Sequence, residues 1–388
     1  MLEVPAVAAT PSRIDGTLDR GEDLALVLEQ AADPGGNERI VAALLDRYPA
    51  AQALAPTFAS TILTGSQRLH WARSIRLTAG GRGRRRWFLA PLYCRRMARV
   101  RLEPATVVLS LTQPGWSPAV TVPPGARHVC YSSGLPRALY HAPAVYRRDE
   151  PALLRPLLWA AGPPLRAHHR RIMRRPDRLI TNSRATARAL ERVHGRPAEV
   201  IHPPVRTDFF TPGPGARDHV LVVARLTGQK RVEAVLDAFA GLPDRLVVVG
   251  NGIRAARLRE RAPANVGFTG YVDDEELREL YRRSRALVCP SVEDFGIVMA
   301  EAQATGTPVI APRAGGALEI VRDGETGILL DRGEPADIAA AVRALDGRSF
   351  SPAACRAAGE RFSEGRFLEA FARVLAEERV LAGGRPQG

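Results

Sequence analysis

Residues 289–330 read CPSVEDFGIVMAEAQATGTPVIAPRAGGALEIVRDGETGILL, and the order of elements in this stretch decides the fold. An apolar run at 286–288 leads through Cys289 into a polar loop at 291–296, and residues 297–304 are then good helix formers. Gly306-Thr307-Pro308 ends that run, and Val309-Ile310-Ala311 reads as a buried strand. Ala314-Gly315-Gly316 is a second loop opening on a second helix at Ala317. Strand, loop, helix, strand, glycine-rich loop, helix is the grammar of a parallel α/β sheet, whose ligands sit at the carboxyl ends of the strands. Helix N-termini there carry free N–H groups and a positive dipole end, which suit an anion.

Two carboxylates frame the first loop. Glu293 and Glu301 are eight residues apart, which on one continuous helix leaves them about 80° out of line. With Glu293 in the loop and Glu301 in the helix, both can point into one pocket. Taken alone, the spacing favours the plainer reading, one acid as an N-terminal charge and the other as a solvated helix residue.

The whole chain has 388 residues, 45% hydrophobic and 25% charged, which makes it globular and long enough for two domains. No apolar run reaches membrane-spanning length, and residues 1–22 lack the basic start and apolar centre of a signal peptide, so they read as a loose leader. Cys94, Cys130, Cys289 and Cys355 have no metal-ligand spacing and are expected as reduced thiols of a cytoplasmic protein, with no metal site. Charge is uneven. Residues 1–218 hold 32 Arg against 17 acids, whereas residues 219–388 are close to neutral.

In chain order, residues 24–28 form a first buried strand, and a loop ending in Gly35-Gly36 precedes a helix from Asn37. A glycine pair before a helix lets backbone N–H groups approach a phosphate or sugar, although a plain turn fits it too. From Arg68 to Arg101 there are eleven Arg and no acid, interleaved with Trp71, Trp87, Phe88 and Tyr93. A solvated basic face, a nucleic-acid patch and an anionic membrane surface compete for this stretch. No nucleic-acid-binding motif accompanies it, which weighs against that reading. Arg beside Trp and Phe suits an interfacial segment. Residues 130–137, CYSSGLPR, follow a strand, and residues 206–218, rich in Pro and Gly, read as an interdomain linker.

After a strand beginning at His219 comes Arg225-x4-Lys230, and Lys230 is the only lysine in the chain. A compact ammonium can point at a phosphate where a planar guanidinium does not fit. Strands ending at Gly250 and Gly270-Tyr271 supply two further turns, and Asp273-Asp274-Glu275-Glu276 caps a helix.

The setting EDFGIVMAEAQATGTPVIAPRAGGALE resembles the nucleotide-sugar loop of retaining glycosyltransferases of the GT-B fold, the family that includes sucrose synthases and bacterial mannosyltransferases. It looks most like the mannosyltransferase branch. The resemblance covers most of residues 24–370 and is strongest from 219 onward. It implies an α/β chain of GT-B type, two Rossmann-like domains facing a cleft: an N-terminal acceptor-side domain at 23–205, a nucleotide-sugar domain at 219–360, and a final helix at 361–388 crossing back to the first.

The resemblance also implies roles. Arg225 and Lys230 bind the donor diphosphate, Glu293 orients the sugar and Glu301 accepts from the ribose hydroxyls. The N–H groups of Phe295, Gly296 and Ile297 contact sugar or phosphate oxygens. The turns at Gly250, Gly270 and Tyr271 flank the base, and Gly35 and Gly36 face the donor. Ser133 stands where the family has a histidine near the transferred sugar, a departure that predicts shifted donor or acceptor choice. The implied substrates are GDP-mannose or a UDP-sugar and a glycan or lipid-linked acceptor, with no cofactor. The expected location is cytoplasmic, peripheral on the inner face of the cell membrane. A non-catalytic nucleotide-sugar-binding or scaffold protein, an epimerase of the same fold and a basic nucleic-acid binder stay open as alternatives.

Overall fold

The structure, a computed structural model, describes residues 13–14, 17–28, 36–54, 90–112, 115–137, 139–140 and 155–384. They fall into two compact units. One comprises Met1–Asn182, Thr186–Pro204 and Gly365–Gly388, the other Ser183–Ala185 and Val205–Glu364.

The first unit is built on six parallel strands: β1 (Leu24–Leu28), β2 (Gln52–Leu54), β3 (Val107–Thr112), β4 (Arg127–Ser132), β5 (Arg178–Thr181) and β6 (Glu199–Val200). They lie in the order β2-β1-β3-β4-β5-β6, so the order reverses between β1 and β3. Helices packed with them among the described residues include α1 (Gly36–Arg47), α2 (Ala90–Met97), α3 (Arg155–Met173) and α4 (Arg184–His194). β1 is buried throughout because both of its faces are covered. Leu24, Leu26 and Leu28 pack with Leu44, and the alternate residues Ala25 and Val27 pack with Met97 and Leu165. The last helix, Glu364–Gly383, adds Phe367, Phe371, Val374 and Leu375 to the same core as Leu44. Its Arg379 pairs with Asp19 and Asp23, and its Glu378 accepts from Arg127 at 2.6 Å. The carboxyl-terminal helix is therefore an integral layer of the amino-terminal unit.

A histidine cluster is buried in this unit. Tyr140 Oη and His169 Nδ1 share a hydrogen bond of 3.1 Å, and the His169 ring lies 5.1 Å from that of His194 and 5.2 Å from that of Trp116. Gly115 fits there because a Cβ would stand 2.1 Å from His169 Nε2. Burial, with the neighbouring histidines and Arg170 adding to it, pushes His169 down to about 3. Burial and Arg170 push His194 down to about 4. Both imidazoles are neutral in the folded protein, whereas an unfolded histidine takes up a proton near pH 6.5. The folded state thus binds fewer protons below that pH, so stability is full above it and is lost as pH falls towards 4. The denaturant midpoint of the first unit is expected to drop between pH 7.5 and pH 5, with imidazole titrations of His169 and His194 absent from proton NMR over that range.

The second unit has β7 (His219–Val223), β8 (Leu246–Val249), β9 (Val266–Gly270), β10 (Ser284–Val288), β11 (Val309–Pro312) and β12 (Gly327–Leu330). The order β9-β8-β7-β10-β11-β12 is parallel throughout and reverses between β7 and β10. The intervening helices are α5 (Val232–Phe239), α6 (Ala255–Glu260), α7 (Asp274–Arg282), α8 (Ile297–Ala304), α9 (Ala317–Ile320), α10 (Pro335–Arg343) and α11 (Pro352–Glu360). Leu221, Val247 and Val249 face one core, Val220, Val222 and Val248 the other. Both sheets match the two Rossmann-like domains expected from sequence.

The stretch 206–218, expected as a linker, packs into this second unit. Phe210 is fully buried with its ring 5.8 Å from Tyr281, and Arg356 Nη1 donates to the carbonyls of Thr207 and Phe210. The acidic run expected to cap a helix does so: Asp273 accepts from the Glu276 N–H at 2.8 Å. Asp273→Ala is expected to cost about 1 kcal/mol, read as a lower denaturant midpoint.

Candidate active site

In an open parallel sheet the crevice for a ligand lies where the strand order reverses, outside the carboxyl ends of the two strands involved. In the second unit those strands are β7 and β10. The loop after β7 carries an exposed Arg225 and then a single 3₁₀ turn, Gly228–Lys230. Arg231 follows with φ 49°, the one non-glycine residue with positive φ among the described residues. That left-handed step lets the 3₁₀ turn end and α5 begin without a spacer. Backbone strain of this kind is retained where surrounding structure over-determines it.

The loop after β10 brings Glu293 to the same place. Lys230 Nζ donates to both carboxylate oxygens, each at 2.7 Å. Ser291 Oγ donates to Glu293 Oε1 at 2.5 Å, so a hydroxyl and an ammonium fix one carboxylate. The pair is accessible but not loose, with 29% of the Lys230 side chain and 13% of the Glu293 side chain exposed. Beneath it, burial pushes the Cys289 thiol up to about 12; the Glu293 charge adds to this and Lys230 offsets part of it.

Four glycines hold these loops by backbone contact. A Cβ on Gly250, whose φ is 125°, would stand 2.0 Å from the Ala224 carbonyl oxygen, so the turn after β8 lies directly on the loop after β7. The Gly250 N–H donates to the Gly270 carbonyl at 2.7 Å, which joins two of the turns expected to flank a nucleotide base. Tyr271, next to Gly270, is 71% exposed. A Cβ on Gly315 would stand 2.2 Å from the Glu293 carbonyl oxygen, and one on Gly316 2.0 Å from that of Phe295. The Gly316 N–H donates to the Glu293 carbonyl at 2.9 Å. The Gly-Gly pair thus lets the loop after β11 lie on the loop after β10.

Gly296 takes φ 93° as the cap of α8, whose first residue is Ile297. The Phe295 ring is buried against Phe362 at 5.2 Å, which leaves its backbone as the part near the helix N-terminus. The second helix expected to open here is one turn, α9, too short to carry much dipole.

Glu301, expected from the resemblance to accept from ribose hydroxyls, lies within α8. Its side chain has no exposed surface, and its Oε2 accepts from Tyr281 Oη at 3.0 Å. The reason is its position on α8, whose residues Met299–Ala304 are all buried between sheet and α11.

In the first unit, Ser133 follows β4 and is nearly buried. Its Oγ donates to Asn37 Oδ1 on α1, and its carbonyl accepts from Asn182 Nδ2 at 2.8 Å. Gly36 is the first residue of α1, and Gly35 lies outside the described residues. Of the arginine-rich stretch only residues 90–101 are described, with Arg95, Arg99 and Arg101 exposed. No helix among the described residues is long and apolar enough to cross a membrane.

Sequence reasoning missed the partners. Ser291, two residues before Glu293 on a turning loop, carried a usable signal, since a short hydroxyl side chain often bonds a near neighbour. Tyr281, Asn37 and Asn182 come from distant segments and gave none.

Two parallel Rossmann-type sheets, each reversing its strand order at a switch point, make this an α/β chain of the GT-B fold class. Residues 34–209 match the family model described as Glycosyltransferase Family 4, and residues 207–360 that described as Glycosyl transferases group 1. The two models follow one another along the chain as the two units do, and together they span residues 34–360. It is 36% identical over 247 residues to a D-inositol 3-phosphate glycosyltransferase of Geodermatophilus obscurus, which covers 54% of this chain and 55% of that protein. The chain spans about half the length of the curated relatives it matches. Among solved structures it resembles Anabaena HepE in complex with UDP and glucose, with TM-score 0.67 and 19% identity over 91% of this chain and 99% of that one. It also resembles a sucrose-phosphate synthase from Thermosynechococcus elongatus, with TM-score 0.65 and 19% identity over 93% and 99%. At such identities these two likenesses speak for the fold.

Proposed function

We propose that this chain moves a hexosyl group from a nucleoside-diphosphate sugar to an acceptor hydroxyl with retention at the anomeric carbon. The observation that carries the reading is the Lys230–Glu293 pair at the switch point of the second sheet. Lys230, with Arg225 on the same loop, supplies positive charge where the diphosphate departs and stabilises the charge that develops on it. Glu293 accepts from sugar hydroxyls and fixes the ring. The glycosidic carbon–oxygen bond breaks with its electron pair going to the diphosphate. The acceptor oxygen then bonds to the anomeric carbon on the face just vacated, and its proton passes to the leaving diphosphate. The transition state is oxocarbenium-like, as in glycoside hydrolysis.

Mannose from GDP-mannose is the favoured donor sugar, with UDP-sugars next. The acceptor is a glycan or lipid-linked hydroxyl, and the relatives named for D-inositol 3-phosphate make an inositol phosphate a third class to test. Ser133, tied to Asn37 and Asn182, supports a shifted donor or acceptor choice, because a hydroxyl so held cannot offer the reach or charge of an imidazole. The exposed Arg95, Arg99 and Arg101 support a peripheral contact with an anionic membrane.

The test is turnover of GDP-mannose, UDP-glucose and ADP-glucose with a lipid extract, an oligosaccharide mixture and D-inositol 3-phosphate as acceptors. Release of nucleoside diphosphate that depends on one acceptor is the expected result, and Ser133→His should alter which pair works best. Binding without turnover in every combination, with activity appearing only in Ser133→His, would establish the binding-protein alternative instead.

A further inference from the structure

Helix α3 has two faces, and only one of them serves the fold. Leu165, His169, Ile172 and Met173 are buried in the first unit. The opposite stripe runs at helical spacing through Pro156, Trp159, Ala160, Pro163 and Ala167, all of them exposed. Trp159 is 70% exposed. The water-facing stripe of a surface helix is normally charged or polar, and this one carries no charge over about three turns. It then turns basic, with Arg170, Arg171 and Arg174 exposed, and α3 contains no acid. Helix α2 repeats the pattern beside it. It touches α3 and packs Cys94 and Met97 into the same core as Leu165. Its exposed Pro91 and Leu92 are followed by exposed Arg95 and Arg99, again with no acid on the helix.

A second copy of this chain on that face would set arginine against arginine, which is repulsive. Anionic lipid head groups answer the arginines instead, and the acyl boundary just beneath them answers Trp159 and Leu92. The depth is bounded too. Pro163 and Pro164 lie inside α3 and have no N–H to give the carbonyls of Trp159 and Ala160. Backbone acceptors left in this way suit the hydrated head-group level and not the hydrocarbon. We propose that α2 and α3 form one bilayer-docking face, in which Trp159 enters the head-group region of an anionic membrane and Arg171 and Arg174 pair with its phosphates. This rests on the peripheral membrane contact put forward above, and adds to it a second helix and an insertion point.

The experiment is co-sedimentation of the full chain at low salt with vesicles of phosphatidylglycerol and phosphatidylcholine, and with phosphatidylcholine vesicles alone. Wild type is expected to partition onto the anionic vesicles only. Trp159→Ser should lower the partition coefficient roughly tenfold and Arg171→Gln roughly fivefold, with melting temperatures unchanged because both side chains are exposed. Trp159→Phe should partition like wild type. The difference between their emission spectra isolates Trp159, and it should move to shorter wavelength on anionic vesicles. Wild-type sedimentation that neither Trp159→Ser nor Arg171→Gln weakens, with no shift of Trp159 emission, would overturn the role of α3 and leave a contact through Arg95, Arg99 and Arg101 standing. A wild type that stays in solution beside anionic vesicles would overturn both. A dimer that Trp159→Ser converts to monomer would make the face an interface between copies and overturn the proposal.

Discussion

Glu293→Ala is expected to lower kcat with the best donor by roughly 10²–10³-fold, with a much smaller change in KM. The carboxylate lies on a loop at the mouth of the site rather than in the core, so its removal leaves both sheets and all surrounding glycine contacts in place. It also releases Lys230 for the diphosphate, which keeps donor binding from collapsing. What is lost is the acceptor for sugar hydroxyls that holds the ring as charge builds at the anomeric carbon. Steady-state kinetics with a melting curve in parallel checks this: the rate should fall while the melting temperature stays near that of wild type.

Gly316→Ala is expected to destabilise the second unit by about 2–3 kcal/mol and to abolish sugar-nucleotide binding. The added Cβ would stand 2.0 Å from the Phe295 carbonyl oxygen and 2.5 Å from its Cα, and these are backbone atoms that cannot rotate aside. Relief requires the loop after β10 to shift, and that loop carries Ser291 and Glu293. Gly267→Ala is the control, because the nearest atom to its Cβ is an ordinary 3.9 Å away. A denaturant midpoint lowered in Gly316→Ala and nearly unchanged in Gly267→Ala is the expected pair of results.

The fold was legible because parallel strands buried on both faces must be continuous apolar runs, and 24–28, 246–249 and 309–311 announce themselves in that way. Lys230 was legible through composition, as the sole lysine among arginines, and Glu293 through its place in a loop between strand and helix. Their direct pairing was not, because the loops after β7 and β10 are more than sixty residues apart and meet only through the reversal of strand order. Periodicity says which residues face a core but not which carboxylate a distant tyrosine will claim. The hydrogen bond between Tyr281 and Glu301 was therefore not legible. The packing of 206–218 was hidden for a related reason. Pro and Gly at 212–215 mark irregular backbone, but Phe210 beside them finds a place in the core of the second unit.

In the proposed function Lys230 holds the diphosphate of a sugar nucleotide. Its most direct test is titration of wild type and Lys230→Ala with a sugar nucleotide, with GDP-mannose and UDP-glucose tried in turn, and with the matching free nucleoside. Lys230→Ala is expected to weaken binding of the sugar nucleotide by roughly 10²-fold, as for a lost partner of a charged group, and to leave that of the nucleoside unaffected. Equal affinity of wild type and Lys230→Ala for the sugar nucleotide would contradict it.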